Sequence, residues 1–336
     1  MKKILSLTMI SILMITTLSG CSKAKQLAGS WSILPENADS SIKVAYIAPS
    51  MEISFWRFVS NGIKREAEKL GIQTDIQIYN SKDNAAIQLE NTRDAITKQV
   101  DAIIISPTDS STCPAVLDEA EKAKIPVVIC DIGTDSGNYA AFVISSNRKG
   151  AKETGEYLAN YLKKKGWDTF PVVEQTLSLA RNNGKERTGG FKEAMDAANI
   201  QIAAIKQFEK YNVAEGEAFF MDLVAENPTA RGMFIQADEP TLGALKAVQN
   251  LNKQDQFAIV GFDATPETIE KIKAGELIAT SVQQPVLMGE KALDAAVDIL
   301  NGKNPEKTIE IPTLLVTYEN IKDTESILQE TVFPKE

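Results

Sequence analysis

Three aspartates stand at comparable places in this chain, each close behind a short apolar run. Asp131 follows Pro126-Val127-Val128-Ile129-Cys130, Asp238 comes shortly after Gly232-Met233-Phe234-Ile235, and Asp263 ends Phe257-Ala258-Ile259-Val260-Gly261-Phe262-Asp263. A carboxylate at the end of a buried strand faces the crevice in which α/β proteins hold ligands, and it accepts hydrogen bonds from hydroxyls. The competing reading is a cap for the next helix, which aspartate also serves well. Asp109 reads as such a cap, and so does Asp238, because helical residues follow at once. Asp131 and Asp263 are followed by non-helical residues and read as binding acids. Paired acids also hydrolyse glycosides when they flank the sugar at a defined spacing, but nothing else in the sequence supports that chemistry.

Composition removes other classes. The chain has no histidine, and with it go the commonest general base, any Ser-His-Asp triad and most zinc sites. No catalytic set, metal site or cofactor is expected. The net charge is −9 and no basic run exists, so a phosphate backbone is a poor partner. There is no P-loop and no G-x-G-x-x-G opening a helix. Cys113 and Cys130 read as buried thiols, with a disulfide left open.

The elements that must position these acids repeat. Ile42 to Ala48 is a buried strand, Pro49 to Ser54 a broken polar loop, and Phe55, Val59, Ile63 and Leu70 a stripe on a helix ending at Gly71. Phe55 and Trp56 stand at the lip of that loop, and Phe55 is the one whose spacing points to the core. Further strands at Ile76–Tyr79, Asp101–Ser106 and Pro126–Asp131 alternate with helices at 84–99 and 110–124. A second round starts near Phe142. It has helices at 148–165, 187–198, 214–226 and 240–250, and strands at Val172, 202–208, 232–235 and 257–263. A strand near Ile278, a helix at 287–301 and a strand at 314–318 close the chain. Alternation of this kind means βαβ units and parallel sheets, and about 300 residues exceed what one core organises.

The N-terminus reads as an address. Lys2-Lys3 precede an apolar run from Ile4 to Leu18, and Leu18-Ser19-Gly20-Cys21 resembles the lipobox of bacterial lipoproteins. That resemblance implies cleavage before Cys21 and lipid on its sulfur, which anchors the protein outside the cytoplasm. Residues 1–20 are then the signal peptide and 21–41 the lipidated cysteine and tether. Loss of Lys2 and Lys3 takes the net charge from −9 to −11.

Several motifs in order resemble the ribose/galactose-type (type I) periplasmic binding proteins of sugar ABC transporters. They are Phe55-Trp56, Ser106-Pro107-Thr108-Asp109, Ile125-Pro126-Val127-Val128, Arg187-Thr188-Gly189-Gly190-Phe191, Val260-Gly261-Phe262-Asp263, and Gln283-Gln284-Pro285 with Gly289. The resemblance implies two Rossmann-like lobes joined by a three-strand hinge, with crossings near Ser145, Gln283 and Thr313. It divides the chain into 42–145 plus 284–312 and 146–283 plus 313–325. By the same resemblance the ligand site comprises Phe55, Trp56, Ser106, Asp131, Arg187, Tyr211, Asp263 and Gln283, with Phe262 as a lesser wall. The CH faces of a sugar lie well on aromatic rings, and Arg187 supplies donors where the acids accept. Three positions depart from the ribose pattern: Ile53, Ile132 and Ala237 stand where polar groups are expected. Ribose itself is therefore disfavoured. The expected function is capture of a monosaccharide or related polyol by a monomeric lipoprotein and delivery to an ABC permease, with Glu66 or Glu68 as candidate rim acids. The alternatives are a sensory protein presenting its ligand to a receptor or histidine kinase, and a nucleoside or amine as cargo.

Overall fold

The computed structural model describes residues 42–71 and 74–334. Cys21, the export segment and the tether lie outside the described residues. The first half of the chain forms β1 (Ile42–Ala48), α1 (Ser54–Leu70), β2 (Thr74–Asn80), α2 (Ala85–Thr97), β3 (Ala102–Ile105), α3 (Cys113–Lys122), β4 (Val127–Cys130) and β5 (Ala141–Ser145). Then come α4 (Asn147–Lys165), β6 (Val172–Thr176), α5 (Asn182–Ala198), β7 (Ile202–Gln207), α6 (Val213–Glu226), β8 (Gly232–Ile235) and α7 (Asp238–Asn250). The chain closes with β9 (Ala258–Phe262), α8 (Pro266–Lys273), β10 (Ala279–Val282), α9 (Pro285–Leu300), β11 (Thr308–Ile311), β12 (Leu314–Thr317) and α10 (Ile321–Thr331).

These strands make two six-stranded sheets, ordered β11-β5-β4-β3-β1-β2 and β12-β10-β9-β8-β6-β7. The two orders are one topology used twice, and they define a first and a second lobe. Strands β3, β4, β8 and β9 are buried along their whole length. A parallel strand covered by helices on both faces needs apolar residues on both faces, which is why these runs lack alternation. One pairing departs from the expected parallel sheets: β12 runs antiparallel to β10. It enters the second sheet directly from β11 through Pro312-Thr313, at the end where β10 leaves that sheet, and so runs against β10.

The chain passes between the sheets three times, between Ser145 and Asn147, between Val282 and Pro285, and between Ile311 and Leu314. After the second passage α9 packs on α1 with backbone nearly touching backbone. A Cβ on Gly62 would lie 2.0 Å from the Val286 carbonyl oxygen, and one on Gly289 would lie 2.1 Å from that of Val59.

Some details differ from the pattern-based reading. The inward stripe of α1 is Trp56, Val59, Ile63 and Ala67, whereas Leu70 is exposed and Phe55 half-buried. Trp56, not Phe55, is the core-facing member of the pair. Glu66 is no rim acid: it is 2% exposed and paired with Lys69 at 2.9 Å. Helices α8 and α10 and strand β11 were not anticipated; β11 is an edge strand with mostly exposed or half-buried residues and carries little apolar signal.

The glycine contact gives a stability test. Gly62→Ala should force α1 from α9 and cost about 1–3 kcal/mol, read as a lower midpoint in urea with an unchanged slope. A midpoint equal to wild type would mean that the helices separate freely.

Candidate functional site

Loops from both lobes enclose a cavity of about 340 Å³, within the size range of small-molecule pockets. The loops that follow β1, β2, β4, β6, β7, β8 and β9 all contribute to it. Each follows the carboxyl end of a parallel strand, where open α/β sheets hold ligands.

Two acids occupy corresponding places. Asp131 follows β4 and Asp263 follows β9, with φ of 72° and 68°. Each amide still donates to the neighbouring strand, Asp131 to the Val143 carbonyl and Asp263 to that of Ser281, both at 2.8 Å. The left-handed conformation is costly for a residue with a Cβ, aspartate being among the few that tolerate it. Both sheets therefore end the strand at the cavity by the same strained turn.

Arg187, on α5, is 1% exposed and stands beside Asp263. Its Nε donates to Asn147 Oδ1 at 2.8 Å, and Nη1 donates to the Gln236 carbonyl at 2.9 Å and to Asp263 Oδ2 at 3.3 Å. Its guanidinium lies 3.8 Å from the ring centre of Phe262, so Phe262 supports Arg187 from the core. Gln283 donates to Asp263 Oδ1 at 3.0 Å, which leaves the Gln283 Oε1 atom buried without a protein partner. Asn183 reaches Asp131 Oδ2 at 3.4 Å, and Asp131 Oδ1 likewise has no partner. Burial pushes the Asp131 carboxyl up to about 7; Arg187 pulls it down and Asp263 pushes it further up.

Asp238 departs from its reading as a cap. Ala237 holds the cap position of α7, and Asp238 is the first helical residue and lines the cavity. Burial, with the Asp263 carboxylate beside it, raises its carboxyl to about 7. Asp109 is not the cap of α3 either: Thr112 holds that position, and Asp109 Oδ1 instead accepts from the amides of Ser111 and Thr112, each at 2.9 Å, in the turn before the helix.

The aromatic residues come from opposite lobes. Phe55 and Trp56 form an edge-to-face pair with centroids 4.7 Å apart, and Tyr211 stands on the other side at a φ of 54°. Ile53, Ile132 and Ala237 all line the cavity, so the three aliphatic positions do face it. Of the eight residues named from the sequence, Phe55, Trp56, Asp131, Arg187, Tyr211, Asp263 and Gln283 meet here. Ser106 does not line the cavity. It is fully buried inside the first lobe, where its hydroxyl shares a hydrogen bond with Tyr46 at 3.3 Å and its carbonyl accepts from Gln88.

Sequence reasoning missed Asn147, Arg181, Asn183 and Gln236. Helix α5 begins at Asn182, five residues before the position read from the pattern. The run Ala180-Arg181-Asn182-Asn183-Gly184 has the polar, glycine-containing composition of a loop, which hid the first turn. Cys113 and Cys130 are free and buried, and burial raises the Cys113 thiol to about 12. Among the described residues no helix is long and apolar enough to cross a membrane.

The raised carboxyls set a pH dependence. Between the ordinary pKa of an aspartate and about 7, the folded protein holds protons that the unfolded chain has lost, so stability falls as pH rises through that window. Ligand-free protein should melt higher at pH 5 than at pH 7.5, and Asp131→Asn should flatten the slope. An unchanged slope in that variant would place the titrating group elsewhere.

Comparison with known proteins bears on what fills this cleft. The sequence model of the periplasmic binding protein domain matches residues 44–304. The ribose import binding protein of Salmonella typhimurium is 30% identical over 280 residues, covering 83% of this chain and 92% of that one. Its counterpart from Bacillus subtilis is 31% identical over 265 residues, covering 79% and 84%. Among solved structures, a carbohydrate transporter solute-binding protein from Agrobacterium radiobacter, in complex with D-arabinose, aligns with a TM-score of 0.78 at 23% identity, covering 86% of this chain and 98% of that one. The chain belongs to the periplasmic binding protein family, in its ribose/galactose form.

Proposed function

For this member of the periplasmic binding protein family, we propose that the two lobes close on a monosaccharide or related polyol outside the cytoplasm and deliver it to an ABC transporter permease. Its relatives include proteins named for ribose import and for D-allose binding. The observation that carries the reading is a pair of buried acceptors without a protein partner, Asp131 Oδ1 and Gln283 Oε1, on two residues that line the cavity. A buried acceptor without a partner costs about 1–3 kcal/mol, and a sugar hydroxyl donating to each removes that cost. Phe55, Trp56 and Tyr211 offer rings to the apolar CH faces of the same molecule, while Arg187 holds Asp263 ready to accept a hydroxyl proton.

The lobes that move are 42–145 with 284–312 and 146–283 with 313–325. Ile53, Ile132 and Ala237 select a ligand with fewer polar groups on its flank than ribose presents, such as a deoxy sugar. The protein acts by binding rather than by turnover, as a monomer, tethered through lipid on Cys21.

The experiment is a thermal screen of the full chain against D-ribose, D-allose, D-arabinose, D-galactose, L-fucose, nucleosides and amines. A ligand at 100 times its Kd stabilises the fold by about 2.7 kcal/mol. A sugar should raise the melting temperature, and Asp263→Ala should abolish the rise. A response to a nucleoside or amine with none to any sugar would overturn the cargo. In cells, Cys21→Ser should move the protein from the membrane pellet to the soluble fraction; retention in the pellet would remove the lipid anchor.

A further inference from the structure

Arg181 immediately precedes α5 and lines the cavity from the second lobe. Its Nε donates to the Thr108 carbonyl at 2.9 Å and its Nη2 to Asp83 Oδ1 at 2.9 Å, both in loops of the first lobe. Among the described residues this is the one ion pair whose partners belong to opposite lobes. The next two residues continue the seam. The Asn182 amide donates to Ser110 Oγ at 3.2 Å, and Asn183 reaches Asp131. On its own lobe, the guanidinium of Arg181 lies 5.4 Å from the ring centre of Tyr211. Asp83 is presented from a left-handed turn, with a φ of 52° and an amide that donates to the Pro49 carbonyl at 2.7 Å.

We propose that Arg181 is a latch of the closed state: by gripping Asp83 and the Thr108 carbonyl it sets how long the bound ligand stays. The inference rests on the closing-cleft reading above. A bond that exists only when the lobes meet stabilises the closed state by its full net value, and its loss appears in the dissociation rate. Asp83 is 47% exposed and Arg181 14%, so the pair is partly screened and its contribution is modest. The Thr108 carbonyl bond adds to it. Since Arg181 also lines the cavity, closure and cargo share one guanidinium.

The test is a double-mutant cycle in the full chain, by stopped-flow with whichever sugar of the thermal screen stabilises the wild type. Asp83→Asn should raise the dissociation rate about 3-fold and Arg181→Gln about 10-fold. The double variant should be no faster than Arg181→Gln alone. An unchanged rate in Asp83→Asn, or multiplied effects in the double variant, would overturn the latch. If no sugar binds, the cargo reading fails by itself and the latch is judged without ligand. Spin labels on Asp118→Cys and Lys185→Cys, in a full chain carrying Cys21→Ser, then report the distance between lobes. Loss of the shorter distance in Asp83→Asn supports the latch; identical distributions refute it.

Discussion

A guanidinium removed from water must be surrounded by acceptors, and much of the site follows from meeting that demand at Arg187. Its donors go to Asn147, at the start of α4 just after the first passage between lobes, to the end of β8 through the Gln236 carbonyl, and to Asp263 at the end of β9. Asp263 in turn holds Gln283, in the second passage. One buried charge thus ties two strand ends to two hinge segments. Gln236 extends the network inward: its amide donates to the buried Glu174 at 2.6 Å, and burial raises that carboxyl to about 7. The core of the second lobe is therefore polar at the place where it supports the cavity floor.

The two lobes answer the same backbone problem with the same turn, but their acids sit in different surroundings. Asp263 lies beside Arg187 and Gln283, whereas Asp131 has only a long contact from Asn183 and an aliphatic neighbour, Ile132. An acid well supplied with donors is fixed before any ligand arrives. An acid short of them keeps an unpaired acceptor, which costs free energy while it stays buried. The asymmetry leaves the second-lobe acid with donors supplied by the protein and the first-lobe acid with one oxygen unpartnered.

Much of this was legible in the sequence because buried parallel strands leave continuous apolar runs. Gly232-Met233-Phe234-Ile235 was bounded to the residue, and Asp131 and Asp263 stood out as the first polar residues after such runs. What escaped was carried by geometry that composition does not record. Which of Phe55 and Trp56 points inward depends on where α1 begins, and a helix starting at Ser54 turns Trp56 to the core. The first turn of α5 looked like a loop, so Arg181 and Asn183 went unnoticed. Ser106 shares its strand end with real cavity residues, yet its side chain belongs to Tyr46. Asp238 reads as a cap in the sequence because a helix-starting aspartate and a cavity aspartate have the same neighbours along the chain; only the fold shows that Ala237 holds the cap and Asp238 lines the cavity.

The three passages between lobes are also bonded to one another. Ser146 donates its amide to the Ile311 carbonyl at 2.9 Å, and Gln284 donates to the Pro312 carbonyl at 2.7 Å. Three separate strings would let the lobes twist, slide and bend; three strings stitched side by side form a ribbon, which bends easily in one direction and resists the rest. On the closing-cleft reading proposed above, such a ribbon leaves the lobes a single soft coordinate. By that reading, little orientational freedom would remain to be frozen when a ligand arrives, and a force applied at one lobe rim would reach the other as rotation about that ribbon.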